Sequence, residues 1–336
     1  MKSIRESLRG AVVALVLSGP AVAQETVKIA FIDPLSGGGA PTGEAGLRHY
    51  QYMAEVLNGR QKAFRFEVLA YDNKVNPQET LIAAQKGIDA GARVLVQGNG
   101  SSAAAALTDF VAKHNERNPD RQVIYINYSA VDPSLTNEKC NYWHFRFDAN
   151  SDIKMEALTN FMKNRPEIKK VYLINQDYSF GQSVRQQARA MLKAKRPDIE
   201  IVGDEVTPLQ KVNDFAPYIT KIRASGADSV ITGNWAQDFN LLLKAASEAG
   251  LQASFYTYYA GGTGGPTVVR QTGLAHRVFQ VTQGAANVGD AESQEFEVAF
   301  RARTGIGSTY PRAFNAMNAL LAAMQEAGSS EARKVA

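Results

Sequence analysis

Short apolar runs alternate with amphipathic stretches along most of the chain, and this alternation constrains the fold more than any other feature. Val27–Ile32 is apolar throughout, and positions 47, 50, 53 and 57 then carry apolar side chains at helical spacing. The pattern predicts strands at 27–32, 64–71, 93–97, 123–127, 170–174, 199–206, 229–232 and 254–259, and helices at 103–114, 152–163, 182–195, 214–224, 239–248 and 312–327. Apolar strands joined by single helices are typical of parallel sheets. The pattern restarts near residue 148, so we expect an α/β fold with two doubly wound parallel sheets in tandem.

The first 23 residues have the features of a secretory signal peptide. Lys2, Arg5 and Arg9 form a basic start, Ala11–Ser18 is a short apolar core, and Ala21-Val-Ala23 is a cleavage site of small residues. The apolar core is shorter than the roughly 20 residues that a membrane-spanning helix needs. We therefore expect export to the periplasm and removal of residues 1–23.

Charge and cysteine content narrow the classes of function. The 336 residues include 37 basic and 33 acidic ones, and no Lys/Arg run is interleaved with aromatic residues, which argues against a nucleic-acid partner. Cys140 is the sole cysteine, so no internal disulfide can form. The four histidines are scattered and lack the spacing of a metal site. We expect a protein that is not an enzyme and has no catalytic residue, metal or cofactor.

Polar and aromatic residues collect where the predicted strands end. Ligands of open parallel sheets bind outside the carboxyl ends of the strands. Those ends carry segments 33–36, 98–102, 127–131, 176–180, 233–235 and 258–262. The aromatic residues among them are Tyr128, Tyr178, Phe180, Trp235, Tyr258 and Tyr259. We expect some of these rings to pack under loops and the others to line a cleft for an apolar or aromatic body.

The segment Gln97–Ala106 (QGNGSSAAAA) leads from a strand through two glycines into a helix-forming tract. Its spacing loosely fits a dinucleotide-binding loop, but it follows the third strand, and the next strand ends in Asn127 without the acidic residue that holds a ribose. In a simpler interpretation, Ser101 or Ser102 caps the helix, whose first N–H groups and dipole favour a carboxylate. A capped helix start without a ligand is the alternative.

Several motifs follow one another in an order that is similar to one family. They are Ile29–Gly37 (IAFIDPLSG), Tyr71–Pro77 (YDNKVNP), Gly98–Ser102 (GNGSS), Ala130–Thr136 (AVDPSLT) and Gln176–Gly181 (QDYSFG). From Val27 onward the chain resembles the type I periplasmic substrate-binding proteins, specifically the leucine/isoleucine/valine-binding family that serves ABC importers. The resemblance implies two α/β lobes that are joined by crossing strands and close on a ligand by hinge motion.

The resemblance also implies the lobe boundaries and the partners. Residues 24–147 and 281–336 would form the N-terminal lobe, and residues 148–280 the C-terminal lobe. The partners would be a small-molecule ligand and an ABC permease in the inner membrane, and the protein would be a monomer. Family members usually continue for several dozen residues beyond the last predicted helix, so we expect the closing C-terminal segment to be missing from this chain.

The ligand site that the resemblance implies is shared between the lobes. The first lobe would hold the ligand's carboxylate and amine with the serine loop and with the turn that ends the next strand. The second would contribute an aromatic residue before a glycine and residues after later strands. With the strand-end rings added, the predicted ligand-binding residues are Gly100, Ser101, Ser102, Ser129, Ala130, Val131, Tyr178, Phe180, Asn234, Trp235 and Tyr259.

Three positions depart from the amino-acid-binding members of the family. Val131 replaces a threonine, Thr42 stands where a ring often packs, and Tyr258–Gly261 (YYAG) replaces the acidic residue that pairs with an α-ammonium group. A desolvated ammonium without a counter-charge costs several kcal/mol. We therefore expect a carboxylate ligand with an aromatic or aliphatic body and no α-ammonium. Alternatively, Asp33 supplies the counter-charge and the ligand is an amino acid.

The predicted function is that of the periplasmic solute-binding component of a branched-chain amino acid-type ABC importer. A second interpretation is a ligand-sensing regulator of the same fold, of the amide or urea type, which acts through a signalling partner. A third is an enzyme on a dinucleotide-binding fold.

Overall fold

The computed structural model describes residues 24–262, 264–284 and 289–336, so the predicted signal peptide lies outside the described residues. The strands are β1 (Glu25–Asp33), β2 (Phe64–Asp72), β3 (Val94–Gln97), β4 (Ile124–Asn127), β5 (His144–Arg146), β6 (Lys170–Gln176), β7 (Glu200–Thr207), β8 (Ser229–Thr232), β9 (Ser254–Thr257) and β10 (Val278–Gln280). The helices are α1 (Ala40–Arg60), α2 (Pro77–Asp89), α3 (Ser101–Arg117), α4 (Ser151–Lys163), α5 (Ser179–Lys195), α6 (Ala216–Ala224), α7 (Ala236–Glu248), α8 (Gly265–Gln271), α9 (Ala291–Thr304), α10 (Pro311–Ala327) and α11 (Ala332–Val335).

Within the described ranges, the strands form two five-stranded parallel sheets with the same strand order. The first sheet runs β2-β1-β3-β4-β5, and the second runs β7-β6-β8-β9-β10. Both orders are the 2-1-3-4-5 arrangement of a doubly wound sheet, in which the crevice for ligands opens between the first and third strands. The predicted fold class is confirmed.

The central strands are buried on both faces because apolar side chains occupy consecutive positions in them. Every residue of β3, β4 and β8 is buried. The strands β5 and β10 were not predicted from the sequence. Each is a three-residue edge strand, and most of their side chains are only half buried, so neither produces an apolar run.

The chain returns to the first sheet after β10. Tyr310, Ala313 and Met317 belong to the same apolar cluster as Phe31 and Tyr50, because α10 packs against α1. We call the first sheet with α1–α3 and α9–α11 the first lobe, and the second sheet with α4–α8 the second lobe. Among the residues that the structure describes, none of the helices has both the length and the apolar character that crossing a bilayer requires.

Candidate functional site

A cavity of about 40 Å³, which we call the inner cavity, lies between the two lobes. Most of its lining residues follow β3 and β4 in the first lobe and β6, β8 and β9 in the second, so they lie at the carboxyl ends of strands in both sheets. None of the described residues that line it has a charged side chain. The inner cavity is therefore bounded by polar, aromatic and backbone groups.

Most of the residues predicted to bind ligand meet at the inner cavity. Ser102 and Asn234 do not line it: Ser102 lies half buried in the first turn of α3, and Asn234 is fully buried behind the lining. No contact with a ligand is observed, so the assignment of these residues as a site stays a prediction. Those that line the cavity are Gly100, Ser101, Ser129, Ala130, Val131, Tyr178, Phe180, Trp235 and Tyr259.

The start of α3 borders the cavity and is not capped by a serine. The N-cap residue is Gly100, with φ at 96°, and no side chain in the part of the chain that the structure describes accepts a hydrogen bond from the first turn. The expectation that Ser101 or Ser102 caps this helix is therefore wrong. Instead, the Ser101 hydroxyl accepts a hydrogen bond from the Asp132 backbone N–H at 3.4 Å. The uncapped N–H groups of α3 are left to bind an anion from the cavity.

Asp33 holds the loop before α3 in place. It is fully buried at the end of β1, and its carboxylate accepts hydrogen bonds from the Asn99 backbone and side chain, each at 2.9 Å, and from the Tyr128 hydroxyl. Burial raises the pKa of Asp33 to about 7. Asp33 does not line the inner cavity, so the hypothesis that it supplies a counter-charge to an amino-acid ligand is not supported.

The turn after β4 is shaped by Asn127. Its side-chain oxygen accepts hydrogen bonds from the N–H groups of Ser129 and Ala130, at 3.2 and 2.8 Å, and its amide donates to the Ala130 carbonyl at 2.9 Å. This closed set of bonds holds the backbone of residues 129–131 against the cavity. A buried asparagine at a strand end is a local signal for such a turn.

The second lobe presents a wall of aromatic rings. Phe180 lies 5.9 Å from both Tyr178 and Tyr259, measured between ring centroids. The Trp235 indole N–H donates to the Tyr178 hydroxyl at 2.9 Å, which fixes both rings. Of the aromatic residues predicted at strand ends, these line the inner cavity, whereas Tyr128 and Tyr258 do not.

The aromatic rings occupy a recurring position in the fold. Tyr178, Trp235 and Tyr310 are the N-cap residues of α5, α7 and α10, and none of these helix starts has a side-chain cap. Together with Gly100 of α3, the N-cap residues of four helices therefore line the inner cavity. Each N-terminus carries a partial positive charge equivalent to about half an elementary charge. The cavity is therefore electrostatically suited to an anion.

The comparisons with known proteins agree with this arrangement. A sequence model described as periplasmic binding protein matches residues 26–336. The chain belongs to the periplasmic binding protein family. The resemblance inferred from the motifs is thereby confirmed.

This periplasmic binding protein has relatives of known name. Leu/Ile/Val-binding protein homolog 4 of Brucella abortus is 38% identical over 250 residues, which cover 73% of this chain and 60% of the relative. The chain thus spans about 60% of the length of that relative. The leucine-, isoleucine-, valine-, threonine- and alanine-binding protein of Brucella ovis, solved in a closed conformation, is 32% identical with a TM-score of 0.76, and the match covers 90% of this chain and 78% of that one.

A more distant structure shows the same fold. The solute-binding protein of an ABC transporter from R. palustris, solved in complex with benzoate, has a TM-score of 0.81 and 20% identity, and the match covers 92% of this chain and 83% of that one. Both of these solved structures are of binding proteins.

Sequence reasoning missed Tyr310 as a lining residue of this binding protein. Tyr310 reaches the inner cavity because α10 returns to the first lobe, and its hydroxyl lies 3.5 Å from Asn99 Oδ1. The sequence does carry a signal for Tyr310 as a lining residue, because it is an aromatic residue at the start of a helix, as Tyr178 and Trp235 are. Asn240, one turn into α7, also lines the cavity and carries no comparable signal.

Proposed function

We propose that this periplasmic binding protein is the solute receptor of an ABC importer and that its ligand is a small carboxylate without an α-ammonium group. The charge pattern of the inner cavity carries the proposal. Four helix N-termini favour an anion there, and none of the described lining residues offers a carboxylate to an ammonium group. An amino acid would bury its ammonium without a counter-charge.

The rings of the second lobe support an aromatic or branched aliphatic body for this acid. Offset and edge-to-face contacts with aromatic side chains contribute about 0.5–1.5 kcal/mol beyond the burial of area. A benzoate complex is known for the R. palustris protein, and a 4-hydroxybenzoate complex for another R. palustris solute-binding protein with a TM-score of 0.78 and 18% identity. By contrast, the relative at 38% identity is named for leucine, isoleucine and valine. The test below separates the two classes of ligand.

We further infer that the lobes move apart to admit the ligand. A cavity that binds benzene has a volume of about 150 Å³, whereas the inner cavity has about 40 Å³. Residues 24–147 and 281–336 would move against residues 148–280, and the closed form would dock on an inner-membrane permease as a monomer. The periplasmic location is supported by the family and by the signal-peptide pattern of residues 1–23.

A ligand panel tests the proposed function. Benzoate, 4-hydroxybenzoate and isovalerate should raise the melting temperature, and isothermal titration should give one site per chain. A ligand at 100 times its Kd stabilises the folded state by about 2.7 kcal/mol. Stabilisation by leucine, isoleucine and valine alone would contradict the proposed ligand class. Stabilisation by benzamide or urea alone would favour the sensing receptor, and an effect of NAD would favour the dinucleotide-binding enzyme.

A further inference from the structure

Three buried charged residues meet where the lobes join. Asp148 lies in the connection from β5 to α4, Lys154 on α4 of the second lobe, and Arg312 on α10 of the first lobe. The Lys154 ammonium lies 2.9 Å from Asp148 Oδ1, and Arg312 Nη1 lies 3.0 Å from Asp148 Oδ2. Their side chains are 5%, 0% and 9% exposed in the order Lys154, Asp148, Arg312. We call these residues the junction triad.

The junction triad has one positive charge in excess. Among the described residues, Asp148 is the carboxylate within 4 Å of either cation. Nearby Arg146 adds a third cation, which interacts with Asp148, Asp132 and Asp152, so these six side chains together are neutral. In addition, Arg312 Nε is buried and has no acceptor among the described residues. A buried donor without an acceptor is costly, and Lys154 and Arg312 share a single carboxylate at salt-bridge distance, so both cations have capacity left for an anionic ligand.

The junction triad contacts two aromatic rings that line the inner cavity, those of Tyr259 and Tyr310. The Lys154 ammonium lies 5.3 Å from the centroid of the Tyr259 ring, and the Arg312 guanidinium lies 5.1 Å from that of Tyr310. Arg312 Nη2 also lies 3.5 Å from the Ser129 hydroxyl. A second cavity of about 750 Å³, the outer cavity, is lined by Lys154, Arg312, Tyr259 and Tyr310.

Two places that favour an anion therefore lie in two cavities that share Tyr259 and Tyr310 in their linings. One is the start of α3 in the inner cavity, and the other is the pair of cations at the outer cavity. Tyr310 spans the distance between them, since its hydroxyl lies 3.5 Å from Asn99 and its ring packs against Arg312.

We propose that the ligand has two acidic groups and that Lys154 and Arg312 bind the second one, with Asp148 positioning both cations. This inference rests on the proposed function, because it extends the carboxylate ligand by a second anionic end. The class is a dicarboxylic acid with an aromatic or aliphatic body that passes between the two tyrosine rings.

The experiment compares a diacid with its monoester of nearly the same length. Terephthalate and monomethyl terephthalate are titrated into the full chain, with adipate and monomethyl adipate as the aliphatic pair. We expect a diacid to bind about tenfold or more tightly than its monoester, and this ratio to fall to about one in Lys154→Met and in Arg312→Met. Lys154→Arg should retain most of the ratio. Lys163→Met, an exposed change on the same helix, should retain all of it.

The outcomes separate this inference from the proposed function. Binding of benzoate with equal affinity for diacid and monoester overturns the inference and leaves the proposed function standing. An unchanged ratio in both Met variants also overturns it. The ratio of diacid affinity to monoester affinity is measured on the wild type. It therefore tests the second acidic group even where a variant fails to fold. Failure of every acid to bind overturns the proposed function itself.

Proton uptake gives an independent readout. Burial lowers the pKa of Lys154 to about 8, against the opposing effect of Asp148, while Arg312 and Arg146 lower it further. An anion placed beside Lys154 raises that pKa, so binding of terephthalate near pH 8 should take up protons and binding of the monoester should not. Titrations in buffers of different ionisation enthalpy measure the difference, and equal uptake for both ligands contradicts the inference.

Discussion

His49 ties α1 to the segment that carries Tyr310 into the site. Its Nδ1 lies 2.7 Å from the Ala45 carbonyl, and its Nε2 accepts a hydrogen bond from the Tyr310 N–H at 3.2 Å. Burial lowers the pKa of His49 to about 4. Protonation would turn Nε2 into a hydrogen-bond donor, and the Tyr310 N–H would then lose its acceptor. The folded state therefore requires the neutral His49 ring.

The pH dependence of stability follows from this lowered pKa. Between pH 6.5 and 4 the unfolded chain binds a proton at His49 that the folded chain does not, so the free energy of unfolding falls as pH falls through this window. The full contribution is on the order of 3 kcal/mol. Urea unfolding at pH 4.5 to 7.5 should show a smaller slope for His49→Gln than for the wild type.

An exposed histidine provides the control for this measurement. His276→Gln should leave the slope unchanged, because His276 is exposed on the second lobe. Two other buried groups also change the slope: the raised pKa of Asp33 acts in the opposite sense, and burial lowers the pKa of His144 to about 4. Both residues are present in all three proteins, so their contributions to the slope cancel in the comparison. Equal slopes for the wild type and His49→Gln would contradict the role assigned to this ring.

Single residues were predictable from the sequence only where a local pattern marks them. Tyr178 and Trp235 follow buried strands directly, so their place at the cavity could be inferred. Arg312 meets Asp148 only because α10 returns across the molecule, and no spacing within either segment reveals the contact. The expected serine cap failed for a physical reason: Gly100 has φ at 96°, which a glycine adopts without strain.

At the level of elements, α2 and α3 begin in contrasting ways. The Asn76 side chain caps α2 by accepting hydrogen bonds from Gln78 and Glu79 N–H groups, at 2.8 and 3.1 Å. The start of α3 has Gly100 and no such cap. The Asn76 side chain thus satisfies the first N–H groups of α2, whereas the first N–H groups of α3 remain available at the inner cavity.

This contrast predicts different results for two substitutions. Asn76→Ala should lower the free energy of unfolding by about 1 kcal/mol and leave ligand affinity unchanged. Gly100→Ala should cost a similar amount, because an alanine is strained at that φ and its Cβ would lie 3.0 Å from Val75 Cγ1, and it should also weaken ligand binding. Chemical unfolding and titration of benzoate measure both. Unchanged affinity in Gly100→Ala would argue against a ligand at the start of α3.

Most elements could be located from the sequence, and the exceptions share a cause. The strands of the sheet interiors stand out because burial on both faces requires consecutive apolar residues. The edge strands β5 and β10 need only three residues each and are half open, so their sequences resemble loops. The helix α9 has a weak apolar face, with Phe300 as its one fully buried side chain.

For the whole molecule, the small inner cavity implies that ligand entry requires motion of the lobes. Gly38 in the first lobe lies at their contact: a Cβ there would come within 2.8 Å of the side-chain oxygens of Gln210 and Gln237. A larger side chain at this position should therefore hold the lobes apart.

Small-angle scattering with and without benzoate tests this motion. The radius of gyration of the wild type should fall on binding, whereas Gly38→Leu should show a smaller change and about tenfold weaker affinity. Gly59→Leu is the matched control, because no described atom outside its own helix lies within 4 Å of a Cβ at that glycine. Full compaction in Gly38→Leu would contradict the role given to this contact.

The identical strand order of the two sheets makes the molecule nearly symmetric about its cleft. The side chains break that symmetry: the serine hydroxyls of the inner cavity come from the first lobe, and its rings, apart from Tyr310, come from the second. The helix N-termini are shared equally, because α3 and α10 belong to the first lobe and α5 and α7 to the second. An exchange of rings in the second lobe would therefore change the shape that the site accepts, while both halves would still favour an acid.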